Sequence, residues 1–383
     1  MRIFVSAGEP SGDLHGANLI RALQQLSPQV ECVGFGGERM QSAGCRLLYP
    51  LCRLAVMWFL RVLLNAHVFI RLLVQADRYF RDHRPDAVVL IDYPGFHWWL
   101  ARRAKARGIP VFYFVPPQLW AWAGWRVRKM RRFVDHVLCT LPFERDWYRR
   151  RGVEANYVGH PYFDELPRQV LDAAFLARRA EVGTPVVGLL PGSRNQEVER
   201  NLSTLVRTAA AVHLERPDVR FLVACFKPDH KQRIDAYLRG WNLPIETHVG
   251  RTPEIIELAT ACVAVSGSVG LELLYRGKPS VVLYRIRRID KFASSLVMKC
   301  RFISLVNLLA DAEVFPEFLT SRCEAEAISR QLLTWLNDSQ AYRERWAQVA
   351  ALRQRVAEPG ACDRAARYLL AALESRQADS QAA

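Results

Sequence analysis

Short apolar runs alternate with helix-spaced segments along this chain, and the alternation runs through once and then starts again. Residues 3–6, 32–35, 87–91 and 111–115 read as short buried strands, and 134–140 and 156–158 read similarly. Helical spacing fills the gaps, and that order argues for a parallel, doubly wound α/β sheet. A second series begins with the apolar run 185–190 and continues through 220–225, 245–249, 262–266 and 280–283, again with helices between. Two Rossmann-like halves therefore meet near residues 160–185, and residues 325–373 read as a helical tail. The length of 383 residues fits two domains of roughly 150 residues each plus an appendage. The expected boundaries are 1–165, 166–345 and 346–383.

The strand–loop–helix junctions carry the chemistry. Arg2-Ile3-Phe4-Val5 leads into Ser6-Ala7-Gly8-Glu9-Pro10-Ser11-Gly12-Asp13-Leu14-His15-Gly16-Ala17. That segment puts Glu9, Asp13 and His15 near the carboxyl end of a first strand, where open α/β sheets bind ligands. A helix N-terminus there offers amide N–H groups and a positive dipole end. The loop has neither G-x-G-x-x-G nor a P-loop Gly-Lys-Ser/Thr, so an ordinary tight turn is the competing reading.

The third strand ends in Ile91-Asp92-Tyr93-Pro94-Gly95-Phe96, placing Asp92 as a candidate general base or a helix cap. Trp120 and Trp122, behind the stiff Pro116-Pro117, offer stacking surface for a sugar or a base; core packing is the alternative. In the second half, Leu190-Pro191-Gly192-Ser193-Arg194 combines close backbone approach at Gly192 with a phosphate-neutralising Arg194. Val265-Ser266-Gly267-Ser268-Val269-Gly270-Leu271-Glu272 is a second phosphate-type loop. Glu272 is placed there to bind ribose hydroxyls or only to complement a helix dipole. Asn307, between apolar neighbours, needs partners if buried; it orients a ligand or caps a helix.

Composition narrows the partners. Lys and Arg number 53 against 38 acids, a net charge of +15, which favours anionic lipid head groups, phosphorylated substrates or nucleic acid. No RRM, KH or helix-turn-helix pattern accompanies the charge, and the basic residues are spread over both halves, against a nucleic-acid partner. Nine cysteines without a C-x-x-C pair argue against a zinc ribbon or disulfide framework and fit a reducing compartment. The chain enters a strand at once, so no signal peptide is expected, and no run of about 18 apolar residues predicts a spanning helix.

Residues 54–74, LAVMWFLRVLLNAHVFIRLLV, stand apart. Trp58, Val62, Ala66, Phe69 and Leu73 recur at helical spacing. Arg61, Asn65, Arg71 and Gln75 lie on the other side. Such a helix either lies in a membrane interface, with Trp58, Phe59, Val62, Phe69 and Arg71 at the contact, or is buried in the core. The basic run Arg126-Val127-Arg128-Lys129-Met130-Arg131-Arg132 suits anionic head groups or is a solvated face.

Taken in order, these segments resemble the lipid-A-disaccharide synthase family over essentially the whole chain. Residues 8–13 are similar to that family's A-G-E-x-S-G-D, Trp120-Ala121-Trp122 to W-A-W and Leu141-Pro142-Phe143-Glu144 to L-P-F-E. Residues 190–194 are similar to L-P-G-S-R, 266–272 to S-G-T-x-x-L-E and 304–309 to S-L-P-N-L-L. The resemblance implies a GT-B architecture, with two Rossmann-like doubly wound domains facing a cleft. The N-terminal one would face the acceptor and membrane, the second would bind the UDP donor, and the C-terminal helix would return to the first.

It also implies an inverting, metal-independent transfer without cofactors. UDP-2,3-diacylglucosamine would be the donor and 2,3-diacylglucosamine 1-phosphate (lipid X) the acceptor, at the anionic inner face of the inner membrane, with the protein cytoplasmic and peripheral. Asp92, Glu9 and Asp13 would then be catalytic, and Ser11, Gly12, Trp120, Trp122 and Asn307 would serve the acceptor. Gly192, Ser193, Arg194, Ser266, Gly267, Ser268 and Glu272 would hold UDP. Departures are Pro10, Gly95 where the family often has an acid, Ser268 for Thr, and Val306 for Pro. The competing readings are another GT-B enzyme acting on UDP-N-acetylglucosamine, whether glycosyltransferase or 2-epimerase, and a non-catalytic basic RNA- or lipid-binding protein.

Overall fold

The computed structural model describes residues 1–54, 66–179, 184–286 and 300–382. The chain forms two compact units: residues 1–165 with 358–383, and residues 166–357. Each is built on one sheet in which every recorded strand pairing is parallel.

In the first unit the strands are β1 (Arg2–Ala7), β2 (Glu31–Phe35), β3 (Arg46–Tyr49), β4 (Ala87–Ile91), β5 (Val111–Phe114), β6 (His136–Cys139) and β7 (Ala155–Tyr157). They lie in the order β3-β2-β1-β4-β5-β6-β7. The order reverses between β1 and β4, which are in register from Ile3↔Ala87 to Ala7↔Ile91. Because both faces are covered, alternate residues of one strand feed different cores. Phe4 packs with Phe80, Leu90 and Tyr113, whereas Ile3, Val5 and Ala7 pack with Leu19, Ile20 and Leu369.

Helices Ala66–His83, Pro94–Ala106 and Val127–Phe133 supply the first core. Helices Pro10–Leu26 and Ala361–Ala382 supply the second. The return helix is seated by Asp164, whose carboxylate accepts from the amides of Gly360, Ala361 and Cys362 at 2.6, 3.0 and 2.8 Å. This corrects the expected third boundary: the returning segment starts at residue 358, and helix Ser339–Val356 stays in the second unit.

The second unit contains β8 (Val186–Leu190), β9 (Arg220–Cys225), β10 (Ile245–Val249), β11 (Ala261–Val265), β12 (Ser280–Arg285) and β13 (Glu317–Thr320). Their order is β10-β9-β8-β11-β12-β13, reversing between β8 and β11. β3 and β13 had no counterpart in the sequence reading. Both are four-residue edge strands whose residues are mostly only half-buried, so neither shows the continuous apolar run by which inner strands are recognised.

Of the membrane-facing set, Trp58, Phe59 and Val62 lie outside the described residues. Phe69 packs against the core, its ring 5.5 Å from that of Phe96. The buried stripe of its helix runs through Leu72, Ala76, Tyr79 and Phe80. Arg71 is exposed, as are Ile70 and Val74.

Candidate active site

In a parallel α/β sheet, the loops leaving the two strands at the order reversal splay to opposite faces and open a crevice. In the first unit those loops follow β1 and β4, and they carry Gly8–Asp13 and Asp92. In the second unit they follow β8 and β11, and they carry Gly192–Arg194 and Ser266–Ser268. Four of the motifs singled out in the sequence thus fall at the reversal points, two in each sheet, while Trp120–Trp122 and residues 304–309 lie elsewhere.

Asp92 and Tyr93 are both left-handed, with φ of 50° and 49°, and Val115 at the end of β5 has φ 53°. For residues with a Cβ this conformation costs about 1–2 kcal/mol each, and clustered strain of this kind marks functional positions. Asp92 is partly buried. Loss of hydration, and after it Glu9 across the reversal, raise its carboxyl to about 6 against the opposing pull of the Tyr93 amide. Such a carboxylate takes a proton efficiently near neutral pH. Tyr93 lies over Gly8: a Cβ there would sit 2.3 Å from the ring, so glycine is what lets the two loops close on each other.

Asp13 has a different task from the one expected. Its carboxylate is buried and accepts from the amides of Gly37 (2.8 Å), Arg39 (3.1 Å) and Met40 (3.1 Å), anchoring the start of helix Glu38–Ser42. Asp13 belongs to the scaffold. Ser11 is exposed on the first turn of helix Pro10–Leu26, and Gly12 is buried beneath it. His15 is buried, which lowers it to about 4 and keeps it neutral.

Trp120 donates from Nε1 to Glu144 Oε1 at 2.9 Å and meets Phe143 edge-on. It is pinned, not free to swing. Glu144, which also accepts from the Thr140 and Leu141 amides, is pushed up to about 7 by burial. Trp122 is exposed, with the Arg126 guanidinium 4.9 Å from its ring centre; the same guanidinium lies 5.1 Å from that of Trp125.

In the second unit, Gly192 has φ 111°, and a Cβ would lie 2.5 Å from Glu197 Oε2. Glu197 Oε2 accepts from the amides of Ser193 (3.0 Å) and Arg194 (3.1 Å), while Oε1 pairs with the Arg194 guanidinium at 3.2 Å. The two amides expected to hold a phosphate are therefore engaged by a carboxylate of the chain itself. Arg194 remains 76% exposed at its side chain. Gly267 and Ser268 are exposed, and the Ser266 hydroxyl donates to Ile303 O at 2.9 Å.

Two further expectations change. Glu272 is buried and paired with Arg276 at 3.1 Å, and Arg276 also reaches Glu257 and Gln169; it ties the unit together. Asn307 is fully buried with its amide satisfied on both sides. It donates to Phe315 O and Glu317 Oε1 and accepts from the amides of Val314 and Phe315. It fixes the loop that leads into β13.

Glu197 was legible as a capping box, since a Glu at the third helical position commonly caps its own helix. Glu317 and the groups behind Asp92 gave no local sequence signal. Among the described residues no group of three or more His, Cys, Asp or Glu is placed to hold a metal ion.

Comparison with known proteins bears on the family and the fold. The family model described as lipid-A-disaccharide synthetase matches residues 3–371. The lipid-A-disaccharide synthase of Myxococcus xanthus is 37% identical over 372 residues, covering 96% of this chain and 97% of that one. That of Trichlorobacter lovleyi is 33% identical, covering 97% and 98%. Among solved structures, the UDP-GlcNAc 2-epimerase of Neisseria meningitidis bound to UDP-GlcNAc superposes with a TM-score of 0.68 at 12% identity, covering 97% and 100%. The calicheamicin glycosyltransferase CalG4 gives 0.61 at 14% identity, covering 98% of each chain. At such identities the structures speak for the fold, which is of the GT-B type.

Proposed function

The chain belongs to the lipid-A-disaccharide synthase family, a family of glycosyltransferases, and on that footing we propose that it joins UDP-2,3-diacylglucosamine to lipid X. In this reaction the bond between the donor C1 and the UDP oxygen breaks. The acceptor 6-hydroxyl oxygen attacks C1 from the opposite face, and its proton goes to Asp92. The products are a β-1,6-linked disaccharide 1-phosphate and UDP. The observation that carries the reading is the strained, raised Asp92 at the order reversal of the first sheet. Charge developing on the departing diphosphate is met by Arg194 and the loop Ser266–Ser268, without a metal ion.

Both substrates are lipids, so the work belongs at a bilayer. The first unit carries exposed aromatic and basic side chains suited to it: Trp99, Trp122 and Trp125, and Arg128 and Lys129, with half-buried Arg126 between. Indole rings favour the level of the head groups, and cations favour anionic lipid. No described helix is long and apolar enough to cross a membrane. We place the contact at the inner face of the inner membrane.

The test is turnover of the two lipids in detergent with EDTA across pH 5–9, with the disaccharide 1-phosphate detected by mass spectrometry. The base must be ionised, so kcat/KM should fall about tenfold per pH unit below pH 6. Asp92→Asn should lose roughly 10²–10⁴-fold in kcat and keep its UDP affinity. Near-normal turnover by that variant removes Asp92 from the role, and loss of activity in EDTA removes metal independence.

A further inference from the structure

A single peptide oxygen gathers the groups that hold the Asp92 turn. The Asp92 carbonyl oxygen lies 2.6 Å from His97 Nδ1 and accepts from the Tyr113 hydroxyl at 2.7 Å. A carbonyl oxygen can only accept, so His97 carries its proton on Nδ1. Its Nε2 is then an acceptor, and the Ser6 hydroxyl, 2.9 Å away, donates to it. Ser6, His97 and Tyr113 are all fully buried. They come from three different elements: β1, helix Pro94–Ala106 and β5.

Burial lowers His97 to about 4, so the tautomer and the relay persist throughout the neutral range. The titratable groups that act on the Asp92 carboxylate are Glu9 and Tyr113. Of these, Tyr113 is itself a donor on that oxygen, and Glu9 is not recorded as bonding to it. Asp tolerates a left-handed backbone, but Tyr93 does not favour it and Pro94 follows directly, so the local sequence does not favour the paired turn by itself.

We propose that Ser6, His97 and Tyr113 are positioning residues for the transfer reaction: two donors clamp the Asp92 carbonyl, hold Asp92 and Tyr93 left-handed, and thereby aim the Asp92 carboxylate at the acceptor. The inference rests on the assignment of Asp92 as base. It extends the site to three residues that touch no substrate. Their effect belongs in kcat, because misplacing a catalytic group by about 1 Å costs on the order of 100-fold while ground-state binding is left alone.

Three variants separate the parts. Tyr113→Phe removes one buried oxygen. His97→Leu removes both links of the ring. His97→Asn restores a donor near the Nδ1 position without the link to Ser6. The expected result is a kcat about tenfold lower for Tyr113→Phe and about 100-fold lower for His97→Leu, with KM within twofold. His97→Asn should recover most of the loss.

Crystal structures of Tyr113→Phe and of a double variant that combines Tyr113→Phe with His97→Leu give a readout that needs no turnover, with Asp92 expected to leave the left-handed region in the double variant. Wild-type kcat in Tyr113→Phe and His97→Leu, or an unchanged Asp92 φ in the double variant, overturns the proposal. A wild-type protein that makes no disaccharide would sink the assigned reaction, while the backbone test would still decide whether the clamp exists.

Discussion

Two aspartates that looked alike in the sequence do opposite work. Asp13 is held by three amides, so Asp13→Ala takes the acceptor from two buried donors and a third part-buried one. It should cost about 2–3 kcal/mol and be read as a lower midpoint in urea with an unchanged slope. Asp92 is the reverse case. Its folded pKa of about 6 stands above the unfolded value near 4, so the protonated form is the one the fold favours. Whatever stability that form contributes is complete below about pH 4 and lost as pH rises through 6. Asp92→Asn, which also tolerates a left-handed backbone, should therefore melt higher than the wild type at pH 8. The gap should close by pH 4, as followed by calorimetry. A constant gap across that range would show that hydration of the carboxylate is not what raises it. The sequence placed both residues in one loop system but could not divide them, because the division depends on residues 37–40, a strand and a turn away.

At the level of elements, the inner strands were legible because burial on both faces leaves only apolar positions. Edge strands β3 and β13 were not, since one side of each meets solvent or a loop. The loop after β8 shows the same limit. Its Gly and Arg advertised an anion site, but the carboxylate of Glu197 already occupies the Ser193 and Arg194 amides. A diphosphate near Arg194 must contend with that charge. Glu197→Gln keeps an oxygen for the amides and removes the charge, so UDP should bind about threefold tighter by titration calorimetry, within the range of a partly exposed charge contact. Weaker binding would mean instead that the carboxylate organises the loop. Trp120, Glu272 and Asn307 were each read as ligand-facing from their motifs. Each is instead tied to a group of the chain itself: Trp120 to Glu144, Glu272 to Arg276 one helical turn on, and Asn307 to the 314–317 segment.

At the scale of the whole chain, the alternation gave two sheets and their split near residue 165, while the point of return was misjudged because the helices of the tail look alike in composition. Only Ala361–Ala382 carries the buried series Ala365, Ala366, Leu369 and Leu373 in the core of the first unit. Removing residues 358–383 should thus lower the melting temperature of the first unit by more than 10 °C, a few kcal/mol in a unit of this size, and leave the second unit's transition in place. A single unshifted transition would contradict that.

The same helix has a consequence for the order in which the molecule comes into being. On the ribosome, the second unit is complete as soon as residue 357 has emerged, but the first lacks one wall of its core until the helix Ala361–Ala382 has followed. The earlier-made half is therefore the later to finish, exposing Ile20, Leu23 and their neighbours throughout translation, and a permuted gene that begins at residue 358 should shorten that exposure.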